Sequence, residues 1–323
     1  MIRPVRYRDL AAINSLHRVS SSGFSEWHSG PMPQTWPSKQ GTLLEALLPA
    51  RSAHTYVLEE GGQVFGFIQA RPRSAYDKWD IIRLVATGDR PADVWHRLLE
   101  YVCVAAGNRR VTKLFANVPE MAEELDIFRQ IGFYRFTSEE ALSLPLSERG
   151  SVPPVPPALR PAESKDAFGI LQLYSAVTPR NVQQAEGLTS RDYSPPAGMM
   201  SSWLQRVGLA QDSPDTLWTW VAEEDGKIFA WFQLRWREGR CRMSFLVHPD
   251  KREQFADPRD YIVGMARATR PCILGAQVRD YQQEMVPYFE EIGFQTSGRY
   301  LLLVKHIAVQ VMERRLTPVL TRA

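Results

Sequence analysis

The chain reads as an α/β protein: two modules in tandem, each a mixed, mostly antiparallel twisted sheet flanked by helices. Three observations predict this. Phe128-Arg129-Gln130-Ile131-Gly132-Phe133 has a near copy in Phe289-Glu290-Glu291-Ile292-Gly293-Phe294. Each reads as the last turn of a helix closed by a Gly, where the chain must leave the helix. Between the copies, Ser151-Val152-Pro153-Pro154-Val155-Pro156-Pro157 can neither pair in a sheet nor continue a helix. After that stretch the order of elements restarts, the signature of a duplicated unit.

In the first module, Ile2-Arg3-Pro4-Val5 reads as a short strand, and Asp9 caps a helix carrying Leu10, Ile13 and Leu16 or His17. Ser20 to Gln40 is a long irregular stretch with Trp27, Trp36 and three prolines, of the kind that lines a cleft or wraps a surface. Tyr56 to Glu60, the turn Gly61-Gly62, and Gln63 to Arg71 read as a β-hairpin. Asp80 to Ala86 is a further strand. Pro91 suits a first helical turn, and Val94, Leu98, Tyr101, Val102 and Ala105 give that helix an apolar face. Lys113 to Val118 is a strand. Met121, Leu125, Phe128 and Ile131 share one face of the helix ending at Gly132, and Phe133 to Leu144 closes the module.

The copies align in blocks. Ile2-Arg3-Pro4, Asp9 and Ile13 recur as Leu159-Arg160-Pro161, Asp166 and Ile170. Glu59-Glu60, Gly62, Phe65, Gln69 and Arg71 recur as Glu223-Glu224, Gly226, Phe229, Gln233 and Arg235. Leu84-Val85 and Arg90 recur as Leu246-Val247 and Arg252. The offset wanders only by loop-sized amounts. The expected division is residues 1–144, a linker over 145–157, a second module over 158–309 and a tail over 310–323. Each module is expected to carry its own sheet, the pair packing as one rigid unit; one continuous sheet, or halves that cannot be superimposed, would end the argument for duplication.

Composition bounds the function. The 323 residues suffice for two domains, and 44% hydrophobic with 23% charged residues is a soluble, globular balance. A net charge of +3 with scattered Lys and Arg excludes a basic nucleic-acid stripe. Cys103, Cys241 and Cys272 have no paired spacing and read as reduced thiols of a cytoplasmic protein. The opening residues show no signal peptide, and Tyr300 to Val304 is far too short to cross a membrane. His17, His28, His54, His96 and His306 lack metal-ligand spacing. Oligomeric state is not readable. Trp218, Trp220, Trp231 and Trp236 read as strand packing.

A module running strand, helix, hairpin, strand, helix, strand, helix, strand, opened by Ile2-Arg3-Pro4 with Asp9-Leu10 and ended by Ile131-Gly132-Phe133, resembles the GNAT superfamily of acyl-CoA N-acyltransferases. The resemblance covers nearly the whole chain, as two tandem copies. It implies an acetyl-CoA or similar substrate whose pantetheine arm pairs with a splayed central strand, near Leu84-Val85 or Leu246-Val247. The next loop would offer backbone N–H groups to the pyrophosphate at a helix start. The acceptor would be a small-molecule or peptide amine attacking the thioester directly.

Both loops depart from the family's Val-x-Pro-x-x-Arg/Gln-Gly-x-Gly/Ala. Val247-His248-Pro249-Asp250-Lys251-Arg252 puts Glu253 and Phe255 at the glycine positions; Val85-Ala86-Thr87-Gly88-Asp89-Arg90 puts Pro91 and Asp93 there. Pro91 has no N–H to give, and an acidic side chain beside a pyrophosphate costs about 1 kcal/mol or more. Arg90, Lys251 and Arg252 remain as side-chain phosphate ligands. Phe128 and Phe289 stand where the family commonly has a Tyr that protonates the leaving thiolate. Candidate bases are Asp80, otherwise a strand-end carboxylate, and His248, otherwise a loop histidine. The second module keeps more of the loop and is the one expected to work. The alternative is a catalytically silent tandem module that binds a ligand or a protein.

Overall fold

The computed structural model describes residues 1–20, 26–28, 54–73, 77–146, 150–194, 215–237, 240–269 and 272–308. Most of the irregular stretch expected over Ser20 to Gln40, and the tail over 310–323, lie outside them. In the N-terminal half the elements are β1 (Ile2–Pro4), a 3-10 turn (Tyr7–Asp9), α1 (Leu10–Ser20), β2 (Glu26–His28), β3 (His54–Glu60), β4 (Gln63–Pro72), β5 (Lys78–Ala86), α2 (Pro91–Gly107), β6 (Lys113–Pro119), α3 (Glu124–Gln130) and β7 (Tyr134–Leu146). The C-terminal half holds β8 (Leu159–Pro161), a 3-10 turn (Ser164–Asp166), α4 (Ala167–Val177), α5 (Arg180–Glu186), α6 (Ser190–Tyr193), β9 (Asp215–Glu224), β10 (Lys227–Arg237), β11 (Arg240–Val247), a 3-10 segment (Pro249–Gln254), α7 (Ala256–Thr269), β12 (Cys272–Arg279), a second 3-10 segment (Asp280–Met285), α8 (Val286–Glu290) and β13 (Gln295–His306). Met121, expected on the helical face with Phe128, precedes α3 and is exposed.

The expectation of two separate sheets is corrected by the strand order. One thirteen-stranded sheet runs β1-β3-β4-β5-β6-β13-β7-β12-β11-β10-β9-β8, with β2 paired to β5 beside this path. The order is a palindrome. Each half supplies five strands of one arm, and its last strand crosses to serve the other arm: β13 pairs with β6, and β7 pairs with β12. The two exchanged strands pair with each other at the centre. That criterion overlooked strand exchange: reciprocal exchange between two copies also produces a continuous sheet, and the palindromic order keeps the repeat visible. All described pairings are antiparallel except β5–β6 and β11–β12, which occupy matching places.

Packing follows the exchange. Leu301 and Leu303 of β13 enter the N-terminal core with Ile81, Leu98, Leu114 and Phe128. Leu142, Leu144 and Leu146 of β7 enter the C-terminal core with Phe232, Phe245 and Phe289. Burying a Leu side chain contributes roughly 1.5–3 kcal/mol, so each half depends on the other for several kcal/mol. Helix α5 lies over Phe115 and Phe136 of the N-terminal half. Its carbonyl end receives Lys113 Nζ at Gln184 O and Ala185 O (2.6 and 2.9 Å) and Lys78 Nζ at Glu186 O (2.8 Å), cations placed where a helix end is negative. Strands β1 and β8 form the two sheet edges; each is three residues long and ends in Pro, which blunts an exposed edge.

The repeat holds at atomic detail. Arg3 Nη1 and Nη2 donate to Asp9 Oδ2 and Oδ1 (2.6 and 2.8 Å), and Arg160 does the same to Asp166 (2.7 and 2.9 Å). Arg3 Nε reaches Glu59 Oε2 (2.6 Å), as Arg160 Nε reaches Glu223 Oε2 (3.1 Å). These bonds hold the Asp9 and Asp166 carboxyls below the ordinary carboxylate range. The Arg-Pro and Asp of the opening motif thus tie the edge strand to the hairpin and the first helix. At the other repeated motif, Phe133 N–H donates to Phe128 O and Phe294 N–H to Phe289 O (3.0 and 3.1 Å), with Gly132 and Gly293 at φ 92° and 94°. That left-handed backbone is why both positions are Gly.

Candidate functional site

Each arm carries a fork. Strands β5 and β6 pair from Lys78↔Lys113 only to Ile81↔Ala116, and β5 continues past β6 through Ala86. Strands β11 and β12 pair from Arg240↔Ile273 only to Met243↔Ala276, leaving Ser244 to Val247. A diverging parallel pair exposes backbone N–H and C=O groups that a peptide-like arm can take as an added strand.

The two forks differ. In the N-terminal half β2 pairs with β5 in the register Glu26↔Val85, Trp27↔Leu84, His28↔Arg83. Strand β4 already holds the opposite edge of the same residues. Leu84 and Val85, expected to offer their backbone to acyl-CoA, have both edges occupied by the chain itself. There the added strand comes from a segment within the irregular stretch. In the C-terminal half no strand among the described residues pairs with β11 past Met243, on the side of Leu246 and Val247.

The loops after the forks are committed to local bonds. The amide of Asp250 donates to His248 Nδ1 (3.3 Å), and that of Lys251 to His248 O (3.0 Å). A 3-10 segment rather than an α-helical start follows, with Lys251 at φ −120°. Phe255, at a glycine position of the family pattern, is fully buried against Phe232, Phe245 and Phe289, with ring centroids at 5.6, 5.4 and 5.6 Å. Lys251 pairs with Glu224, and Arg252 with Glu284 (2.5 Å), which joins the loop to the segment after β12 across the fork's mouth. All four are partly exposed, so each pair contributes about 0–1 kcal/mol and a stronger anion displaces it. In the N-terminal half Arg90 is exposed at the start of α2, followed by Pro91, with Asp93 in the first turn.

The acid–base candidates are not brought together. Asp80 lies before the N-terminal fork and accepts from Arg73 Nε and Nη2 (2.9 and 2.6 Å), an ion pair rather than a free base. His248 stands at the end of β11 with Nδ1 already accepting an N–H, which leaves Nε2 to carry the proton and act as a donor. Phe128 and Phe289 are fully buried. Tyr288 packs edge-on to Phe255 at 5.9 Å and is held in the core. Beside the C-terminal fork, between α4 and the β9–β10 hairpin, is a cleft of 1040 Å³ lined by basic residues such as Lys165, Lys227 and Lys251 and equally by acidic ones such as Glu224, Asp225 and Asp250, with His248 among them; its counterpart in the N-terminal half measures 570 Å³. Sequence reasoning missed the strand that fills one fork. The only signal for it was the length of the Ser20–Gln40 stretch.

No family model matches the chain, and no curated protein matches it in sequence. In structure, 96% of the chain is similar to a tandem GNAT protein from the clavulanic acid biosynthesis pathway, determined without AcCoA, of which 99% is covered (TM-score 0.58, 15% identity). The same share is similar to a GCN5-related N-acetyltransferase from Sphaerobacter thermophilus, of which 96% is covered (TM-score 0.63, 12% identity). The fold is that of two GNAT modules in tandem.

Proposed function

We propose that the chain is an acyl-CoA-dependent N-acyltransferase with one working site, at the fork of the C-terminal half. The backbone edge of β11 past Met243 carries the reading: no strand among the described residues pairs with it, whereas β2 fills the matching edge in the N-terminal half. Acetyl-CoA or a close analogue would supply a thioester carbonyl for attack by an amine. Ser244 to Val247 would hold the pantetheine arm through backbone groups, with Leu246 facing α4 and Val247 the opposite core. Lys251 and Arg252 would exchange Glu224 and Glu284 for the phosphates. His248 Nε2–H is positioned as a donor at the strand's end, not as the base. Asp80, bound to Arg73, takes no part.

A second reading has its own support. Phe255 in the core and the two amides satisfied by His248 leave no backbone nest, which favours a tandem module that binds a ligand without catalysis. Titration of acetyl-CoA by calorimetry separates the two. Saturable binding that is lost in Arg252→Ala and retained in Arg90→Ala is the expected result. No saturable binding at millimolar acetyl-CoA overturns the enzyme reading in favour of the silent module.

A further inference from the structure

The two prongs of the C-terminal fork are tied together beyond their ends. Strand β11 ends at Val247 and strand β12 at Arg279; Arg252 and Glu284 each lie five residues further on, and their side chains meet at 2.5 Å. An arm lying along Ser244 to Val247 would enter between these two segments, which is the gap the pair spans. Both backbones are anchored. Phe255 N–H donates to Arg252 O (3.0 Å), and the Phe255 ring is fully buried. Met285, next to Glu284, is fully buried in the same core. Opening the gap therefore falls to the two side chains, which are 37% and 40% exposed.

The N-terminal half holds the same two residues in the other arrangement. Arg90 follows Val85 at the spacing at which Arg252 follows Val247, and Glu123 precedes Phe128 at the spacing at which Glu284 precedes Phe289. Arg90 and Glu123 are both exposed, and no ion pair joins them. There β2 lies along Arg83 to Val85. The repeat thus contains both states. The pair is made where no strand among the described residues lies against the prong, and unmade where one does.

We propose that Arg252 and Glu284 form a bolt that a diphosphate draws, so that the fork selects coenzyme A over the bare pantetheine arm. This concerns the regulation of the acyl-CoA site described above and rests on that reading. Arg252 cannot serve Glu284 and a phosphate at once. Coenzyme A breaks the pair and gives Arg252 a charge-assisted bond to phosphate in exchange. Pantetheine breaks it and returns nothing, so its affinity is reduced by the fraction of molecules in which the bolt is open. For an exposed ion pair that reduction is up to about fivefold. Glu284 acts by holding Arg252, not by touching the arm.

Calorimetric titration with coenzyme A and with pantetheine tests the bolt in wild type, Glu284→Gln, Arg252→Gln and Glu123→Gln. Arg252 and Glu284 are partly exposed, so neither substitution removes a core contact. Glu284→Gln should tighten both ligands, by up to about fivefold. Arg252→Gln should tighten pantetheine by the same factor and weaken coenzyme A, opposite signs in one variant. Glu123→Gln should leave both affinities unchanged. If Glu284→Gln tightens coenzyme A alone, the carboxylate merely repels the phosphates, and the bolt is overturned. Unchanged pantetheine binding in both Glu284→Gln and Arg252→Gln overturns it too, while coenzyme A binding in wild type leaves the acyl-CoA reading standing. Coenzyme A that binds neither wild type nor Glu284→Gln overturns that reading itself, and the bolt with it.

Discussion

Glu124 opens α3 with no exposed surface, and both of its carboxylate oxygens lack a partner. Burial pushes its pKa up to about 7, so the folded protein prefers the protonated acid. An unfolded Glu titrates near the ordinary value, so the folded state holds more protons between the two values. Stability is then greatest below the unfolded pKa and falls as pH rises, levelling above about 7. The shift corresponds to about 3 kcal/mol. Chemical denaturation from pH 5 to pH 8 should show that loss in the wild type and little of it in Glu124→Gln. Equal slopes in the two proteins would contradict the assignment. Asp9 and Asp166 run the other way. Their arginine bonds stabilise the fold above the ordinary carboxylate range and are lost in acid. At this scale the sequence was uneven as a guide. Arg3, Asp9 and their copies were visible as a motif, but a motif does not show whether a carboxylate is free. Only the coordinates tie Asp80 to Arg73, and only they bring Arg242 to Gln277.

Most elements were legible because hydrophobic alternation and Gly or Pro punctuation act locally. The Gly61-Gly62 hairpin, the Pro91 helix start and the two Gly-ended helices all formed where expected. Strand partnership was not legible. Alternation fixes which face of a strand is buried and says nothing of which neighbour lies beside it. Tyr300 to Val304 was readable as a buried strand, yet nothing local shows that β13 belongs beside β6. The exchange makes a prediction for this strand. Leu303, 1% exposed, packs in the N-terminal core although it comes from the C-terminal half. Leu303→Ala should cost roughly 2–5 kcal/mol. Hydrogen exchange should then speed up at β6 as well as at β13. Unchanged protection at β6 would mean that each half keeps its own last strand.

For the whole molecule, duplication and exchange have left two forks with different fates. In one, a segment of the chain adds itself to β5. In the other, no strand among the described residues pairs with β11 past Met243, and the loop beyond it buries Phe255 in the core. The tandem arrangement was legible from repeated blocks such as Glu59-Glu60 and Glu223-Glu224, since duplication leaves sequence traces. The inequality of the forks was not, since a three-residue strand inside a long irregular stretch carries no period. Two similar modules that share one sheet can thus divide labour, with one arm as scaffold and the other holding the site. Hydrogen–deuterium exchange of β5 and β11, with and without saturating acetyl-CoA, tests this division most directly. The prediction is slow exchange at residues 83–85 in both states and new protection on ligand addition at residues 244–247. Ligand-induced protection at residues 82–86, with none at 244–247, would contradict it.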